Sequence, residues 1–252
     1  MAIRREEAFV LKRVPLRETS LHVTLFSRGA GKIRVLVKGA RTEKKPLVAR
    51  FEPFTHLSVV YYEKLKSDTH LVSETAILNS NSFLRSRLDL FGYASYLAEL
   101  VDALFGVHDP HPDVYGLLEA AFLLFQSAPP VHVTRVSEVK LLESAGLLPI
   151  LTHCVLCGET KLDQASFSPR QGGLVCSSCD QGESGTIRIS SGTIQSLLFF
   201  LRSTMEQAVK LRLGQQTEKE LERTAEKFLQ FRLEYPLRSP RFLSAIKPLL
   251  KK

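Results

Sequence analysis

The chain has 252 residues, 44% of them hydrophobic, and carries 34 lysines and arginines against 26 acids for a formal net charge of +8. That balance is ordinary for folded domains and excludes a disordered or low-complexity chain. No apolar run reaches the roughly 18 residues of a membrane-spanning helix, and Met1 to Glu7 hold no apolar leader core, so a cytoplasmic protein without a membrane partner is expected.

The charge is uneven. Residues 1–50 hold 13 basic against 4 acidic side chains, residues 51–231 hold 15 against 21, and residues 232–252 hold 6 against 1. Two basic ends around an acidic middle are the electrostatic footprint of a polyanionic partner.

In chain order, the first 79 residues read as strands. Phe9 to Leu11, Leu21 to Phe26, Lys32 to Lys38, Thr55 to Tyr62 and Thr69 to Ile77 are short runs rich in β-branched and aromatic residues. Ser27-Arg28-Gly29-Ala30-Gly31 joins the second and third as a hairpin turn. Five short strands with no helix among them predict a small β-barrel, because closure removes exposed strand edges, and the OB-fold is the five-stranded form. On the third strand Ile33, Val35 and Val37 fall on one face, and Lys32, Arg34 and Lys38 on the other with Leu36. Arg41, Lys44, Lys45 and Arg50 continue the charge into the next loop, so these seven residues are the expected contacts to a phosphate backbone. The competing reading is a solvated face whose lysines protect a sheet edge. Phe51, Phe54, Tyr61 and Tyr62 either stack on bases or fill the barrel and its walls.

The pattern changes at Asn79-Ser80-Asn81-Ser82, a cluster of N-capping residues. Apolar spacing predicts one helix from Leu84 through Phe105, a second over Asp113–Gln126 and a third over Val133–Ala145 that ends at Gly146. Beyond residue 187, Ser190 or Ser191 caps a helix containing Leu197 to Leu201, and a last helix carries Leu221, Ala225, Phe228 and Phe231. The expected organisation is α+β: a basic barrel over 1–79, a helical domain over 80–150 and 188–252 with a basic C-terminus, and an insert over 151–187.

That insert holds the four cysteines of the chain, Cys154, Cys157, Cys176 and Cys179, spaced C-x2-C-x18-C-x2-C. Two such pairs at this separation are the pattern of a structural zinc site, in which four thiolates take the tetrahedral corners and leave none for a reacting water. One structural Zn2+ in a ribbon-like fold is therefore expected. A disulfide or a redox pair is the alternative, and His153 beside Cys154 is either a loop residue or a substitute ligand. No G-x-x-x-x-G-K-[ST], GxGxxG or GxSxG occurs, so a binding protein rather than an enzyme is expected.

The order of parts resembles the RecO family of recombination mediators. The residues that carry the likeness are Lys140 to Pro149 leading into Cys154-Val155-Leu156-Cys157-Gly158, and the strand from Gly31 to Lys38-Gly39-Ala40-Arg41. The chain departs from the family after Arg41, where Lys44-Lys45-Pro46 stands in place of a serine following lysine. The resemblance implies a nucleoid-associated DNA-repair protein that binds single- and double-stranded DNA and anneals complementary strands. It further implies that, with RecR, the protein helps load RecA on DNA coated by single-strand binding protein (SSB). The alternative is a zinc-ribbon protein that binds RNA or serves transcription, and a third reading is a zinc-dependent nuclease, against which the all-thiolate shell argues.

Overall fold

The computed structural model describes residues 2–42, 47–64, 67–162, 165–182 and 185–248. Five strands, β1 (Ala2–Leu16), β2 (Ser20–Ser27), β3 (Gly31–Val37), β4 (His56–Glu63) and β5 (Thr69–Asn79), close into a barrel in the order β1-β2-β3-β5-β4. Four of the pairings are antiparallel and the β3–β5 closure is parallel, as in an OB-fold. Alternation fills the interior with Ala8, Val10, Leu21, Val23, Leu25, Ile33, Val35, Val37, Leu57, Val59 and Tyr61. The expected strands are present, but β1 is far longer than its apolar centre. It serves two neighbours, pairing with β4 over Ala2–Phe9 and with β2 over Ala8–Leu16, and it bulges between Val10 and Lys12.

The helix expected from Leu84 to Phe105 is two, α1 (Phe83–Ser86) and α2 (Leu88–Leu104), because Arg87 between them is extended at φ −121 and ψ 129. The preceding polar cluster anchors rather than caps. Ser82 makes no side-chain cap bond, whereas Asn81 Nδ2 donates to the Phe54 carbonyl at 2.9 Å. With α3 (Pro112–Leu124), these helices pack on the outside of the barrel. Phe9 points away from the barrel interior and meets Tyr115 and Phe122 at ring distances of 5.1 and 5.5 Å.

The chain folds into two compact units, residues 1–130 with 237–252, and residues 131–236. The segment 80–150, expected as one helical part, is thus divided at Pro130. The second unit begins with α4 (Pro130–Ser144), continues through a three-stranded sheet of β6 (Ala165–Ser168), β7 (Gly173–Cys176) and β8 (Ile187–Ile189) in the order β7-β6-β8, and ends with α5 (Ser191–Arg202), α6 (Met205–Ala208) and α7 (Gln215–Arg232). Ser190 caps α5 by accepting the Thr193 amide, as the sequence suggests. The sheet is pinned to α7 by Phe167 against Phe228 at 5.6 Å. Arg232 lies over the Phe228 ring at 5.1 Å and so close to the β6–β7 turn that a Cβ on Gly172 would stand 2.5 Å from its Nη2.

A helix that the sequence reading omits, α8 (Ser239–Ile246), returns to the first unit. It seats on α2 at Gly92, where a Cβ would come within 2.6 Å of Leu243 Cδ2. Its N-terminus is held by Glu99 of α2, whose carboxylate accepts the amides of Arg238 and Ser239 at 2.8 Å each and the Ser239 hydroxyl.

Candidate functional site

The outer face of β1, β2, β3 and β5 carries a row of cations. Across the sheet, Lys12 stands opposite Thr24, Thr24 opposite Arg34, and Arg34 opposite Thr69. In the next row Val14 faces His22, His22 faces Leu36, and Leu36 faces Leu71. Lys38 and Arg41 follow just past β3 and are exposed. The result is a cationic row beside an apolar one, with His22 at the join.

Of the residues expected on this face, Arg34 is half-buried, and Lys38 and Arg41 are exposed. Arg50 is exposed but lies at another seam, where its Nη1 donates to the Thr75 carbonyl of β5 at 2.6 Å. Lys44 and Lys45 fall outside the described residues. Lys32 is a correction. It shares the parity of Arg34, but α2 and the loop after it cover this end of β3. Only 6% of Lys32 is exposed, and its Nζ meets Asp102 Oδ1 at 3.1 Å and the Asp102 carbonyl at 2.6 Å. The loop is clamped there by His108, whose amide donates to the Lys32 carbonyl at 2.9 Å. Gly31 permits the approach: its φ is +65, and a Cβ would stand 1.9 Å from the Asp109 carbonyl oxygen. Lys32 is therefore buried and held in an ion pair rather than presented on the outer face.

Lys12 and His22 were missed, for a reason in the register. Counting alternation from the buried Ala8 and Val10 sends Lys12 into the barrel. The bulge at Leu11 adds one residue and turns Lys12 outward. His22 reads in sequence as one member of a strand, and only pairing reveals its neighbours. Its Nε2 meets Thr69 Oγ1 at 3.3 Å, and burial, then Arg34 and Lys12, hold its pKa below 6.5. The imidazole is thus neutral at pH 7 between two cations. Among the aromatic residues, Phe51, Phe54 and Tyr61 are core rather than stacking platforms, and burial with nearby Glu6 and Glu63 pushes the Tyr61 phenol up to about 12. Tyr62 is half-buried on the outer side, opposite Ile3.

The second site is the cysteine cluster. Cys154, Cys157, Cys176 and Cys179 bring their sulfurs within 4.8 Å of one another. Cys157 and Cys176 are 3.7 Å apart, and a tetrahedron with metal–sulfur bonds of about 2.3 Å has edges of about 3.8 Å. Each pair sits on a turn that aims its sulfurs inward: the Gly158 amide donates to the Cys154 carbonyl at 2.9 Å, and the Cys179 amide to the Cys176 carbonyl at 3.1 Å. Val155 ties the first turn to β7 by donating to the Leu174 carbonyl at 2.8 Å. Burial raises the Cys154 thiol, but amide donors led by Cys176 outweigh it and bring it down to about 6. Cys179, hydrogen-bonded to the sulfurs of Cys157 and Cys176, is pushed up to about 12. Four thiolates at this spacing repel one another unless a cation sits between them, so the donor set fits a metal ion. His153 stands outside the cluster with its Nδ1 at 3.0 Å from Thr152 Oγ1. Among the described residues, no helix is long and apolar enough to cross a membrane.

A closed five-stranded barrel with helices packed on it, joined in one chain to a four-cysteine cluster whose geometry fits a metal ion, defines the class: an OB-fold protein with a four-cysteine knuckle. Comparison with known proteins makes the class specific. Residues 1–81 match the family described as Recombination protein O N terminal, and residues 85–241 match Recombination protein O C terminal. The chain belongs to the RecO family of DNA repair proteins, whose role is in recombination. It is 29% identical over 232 residues to the DNA repair protein RecO of Alkaliphilus metalliredigens (strain QYMF), covering 91% of this chain and 94% of that one. It is 31% identical over 243 residues to the DNA repair protein RecO of Anaeromyxobacter dehalogenans (strain 2CP-C), covering 96% of each.

Proposed function

We propose that the protein is a cytoplasmic recombination mediator that binds single- and double-stranded DNA, anneals complementary strands, and with RecR helps load RecA on SSB-coated DNA. The observation that carries the reading is the cationic row on the outer face of the OB barrel, where Lys12 and Arg34 stand across β1–β3 with Lys38 and Arg41 beyond. Annealing requires two phosphate backbones to approach, and neutralising them demands fixed cations and no nucleotide hydrolysis. Arg238 and Arg241, exposed on α8 and its cap in the same unit, supply a second basic group for the second strand. Lys44 and Lys45 extend the first group in sequence. The cysteine cluster holds one Zn2+, the usual occupant of a closed four-sulfur site, and staples β6–β8 rather than reacting.

The test is ATP-free annealing of complementary oligonucleotides, bare and SSB-coated, across a salt titration, with a folded RNA as competitor. Annealing that survives the SSB coat and falls steeply with salt supports the reading. Replacing Arg34 and Lys38 by glutamate together should lower affinity for every sequence and flatten the log–log salt slope by about 1.4–1.8, two phosphate contacts at about 0.7–0.9 each. Absence of annealing with tight binding to folded RNA overturns it.

A further inference from the structure

His22 sits where the cationic and apolar rows of the barrel face meet. Its own strand is central, so every neighbour is fixed by pairing. From β1 come Lys12 and Val14, from β3 Arg34 and Leu36, and from β5 Thr69. The charges that act on the ring are those of Arg34 and Lys12, and Thr69 is neutral. No carboxylate compensates it, unlike His132, which meets Glu218 Oε1 at 3.0 Å, or His111, which meets Asp109 Oδ2 at 3.1 Å. Among the described residues, Nε2 has Thr69 Oγ1 as partner and Nδ1 has none.

Such a ring is poised for an anion. Without a ligand, Lys12 and Arg34 repel a third positive charge, so the imidazole stays neutral near pH 7. A phosphate seated between the two cations reverses that local field. We propose that His22 is a proton-linked phosphate contact: when a nucleic-acid phosphate seats between Lys12 and Arg34, the imidazole takes one proton from solvent and becomes a third cation of the site. Both ring nitrogens then carry hydrogen, Nε2 donating to Thr69 Oγ1 and Nδ1 to a phosphate oxygen. The inference rests on the nucleic-acid reading of this face and adds its regulation.

The sign follows from linkage. Binding raises the imidazole pKa, so the complex holds more protons than the free protein between the two values. Affinity therefore rises as pH falls through that window, by at most about tenfold per pH unit for a single proton, and levels off below the free value.

The experiment is fluorescence anisotropy of a labelled single-stranded oligothymidylate against the full chain from pH 8.0 to 5.5 at fixed ionic strength. The wild type should bind about fivefold to tenfold more tightly at pH 5.5 than at pH 7.5. His22→Gln should bind with little pH dependence and a salt dependence that is still steep, set by the remaining cations. A pH response retained in His22→Gln overturns the proposal. As a measurement that needs no variant, the imidazole resonance of His22 is titrated by NMR with and without the oligonucleotide. Its pKa must rise on binding, and an unmoved value overturns the proposal. A double Lys12→Glu, Arg34→Glu chain that binds as tightly as wild type at every pH would instead remove the phosphate from this face, and the wider reading of the face falls with it.

Discussion

Lys32 and Arg34 stand two residues apart on one side of β3, and the packing of α2 gives them different work. Lys32 has a side chain 7% exposed against an Asp102 that is 32% exposed, and its ammonium also donates to the Asp102 carbonyl. Replacing Lys32 by alanine should destabilise the first unit by about 1–2 kcal/mol, since Asp102 keeps access to water and rehydrates. Lys32→Glu should prevent stable docking of the loop after α2. Arg34→Glu should have the opposite profile, with thermal unfolding nearly unmoved and DNA affinity reduced. Thermal unfolding of the three variants beside oligonucleotide binding separates these roles; a Lys32→Ala chain that keeps its stability but loses DNA would return Lys32 to the face.

At the scale of elements, two helices are capped by carboxylates from their neighbours. Glu99 on α2 holds the N-terminus of α8, and Glu220 on α7 holds that of α5 by accepting the Ser190 amide and hydroxyl at 2.8 Å each. Helix N-termini carry unsatisfied amides and positive partial charge, so an ionised carboxylate stabilises them. Glu99→Ala should cost about 1–2 kcal/mol and release α8, seen as faster amide exchange over residues 239–246 and early trypsin cleavage at Arg241. Unchanged protection in α8 would show that the Gly92 contact alone holds it. One edge of the sheet β7-β6-β8 packs on the cysteine cluster, where Val175 lies against Cys154 and Cys176, while Phe167 on the central strand is held by Phe228. A strong chelator should raise exchange over Ala165–Ser168, Gly173–Cys176 and Ile187–Ile189 while the barrel strands stay protected. Equal loss of protection in both units would contradict a local staple.

At the scale of the molecule, acid should weaken the first unit before the carboxylates titrate. His22, His56 and His70 all lie there, and burial is the leading cause that lowers each below 6.5. His70 is 1% exposed, stacks on Tyr61 at 5.1 Å, and among the described residues its Nε2 has no hydrogen-bond partner. The other groups facing it are His108, which lowers its pKa, and Glu63 and Asp68, which raise it, with Lys64 acting downward. A folded-state pKa below the unfolded one means that the unfolded chain binds more protons under about pH 6.5. Stability is then full above that pH and declines as pH falls from 6.5 towards the folded values. Asp89, Asp180 and Glu220, with lowered pKa values, lose their contributions only at lower pH, below the ordinary carboxylate range. Protection factors at the β3–β5 seam, referenced to intrinsic exchange at each pH, should therefore fall between pH 7 and 5 in wild type and respond less in His70→Asn. An identical pH response in that variant would assign the effect to the other two histidines.

The sequence by itself determined the local features. The five strands, the hairpin at Gly31, the Ser190 cap and the C-x2-C pairs depend on neighbours within a few residues, where alternation, turn chemistry and ligand spacing act directly. The cysteine spacing also anticipated convergence over distance, because a four-sulfur site restricts the geometry so strongly. Tertiary structure decided which charges face solvent. Lys12 turned outward because one extra residue at Leu11 inverts the pleat, and Lys32 was buried because a loop some seventy residues away needs the space beside Gly31. His22 acquired its two cations from strands on either side. The return of α8 to α2, and the division of the helices at Pro130, were likewise set by packing between distant segments. Side-chain period gives a residue its face of a strand, but only the register and what covers that face decide whether the residue meets water, a partner or the core.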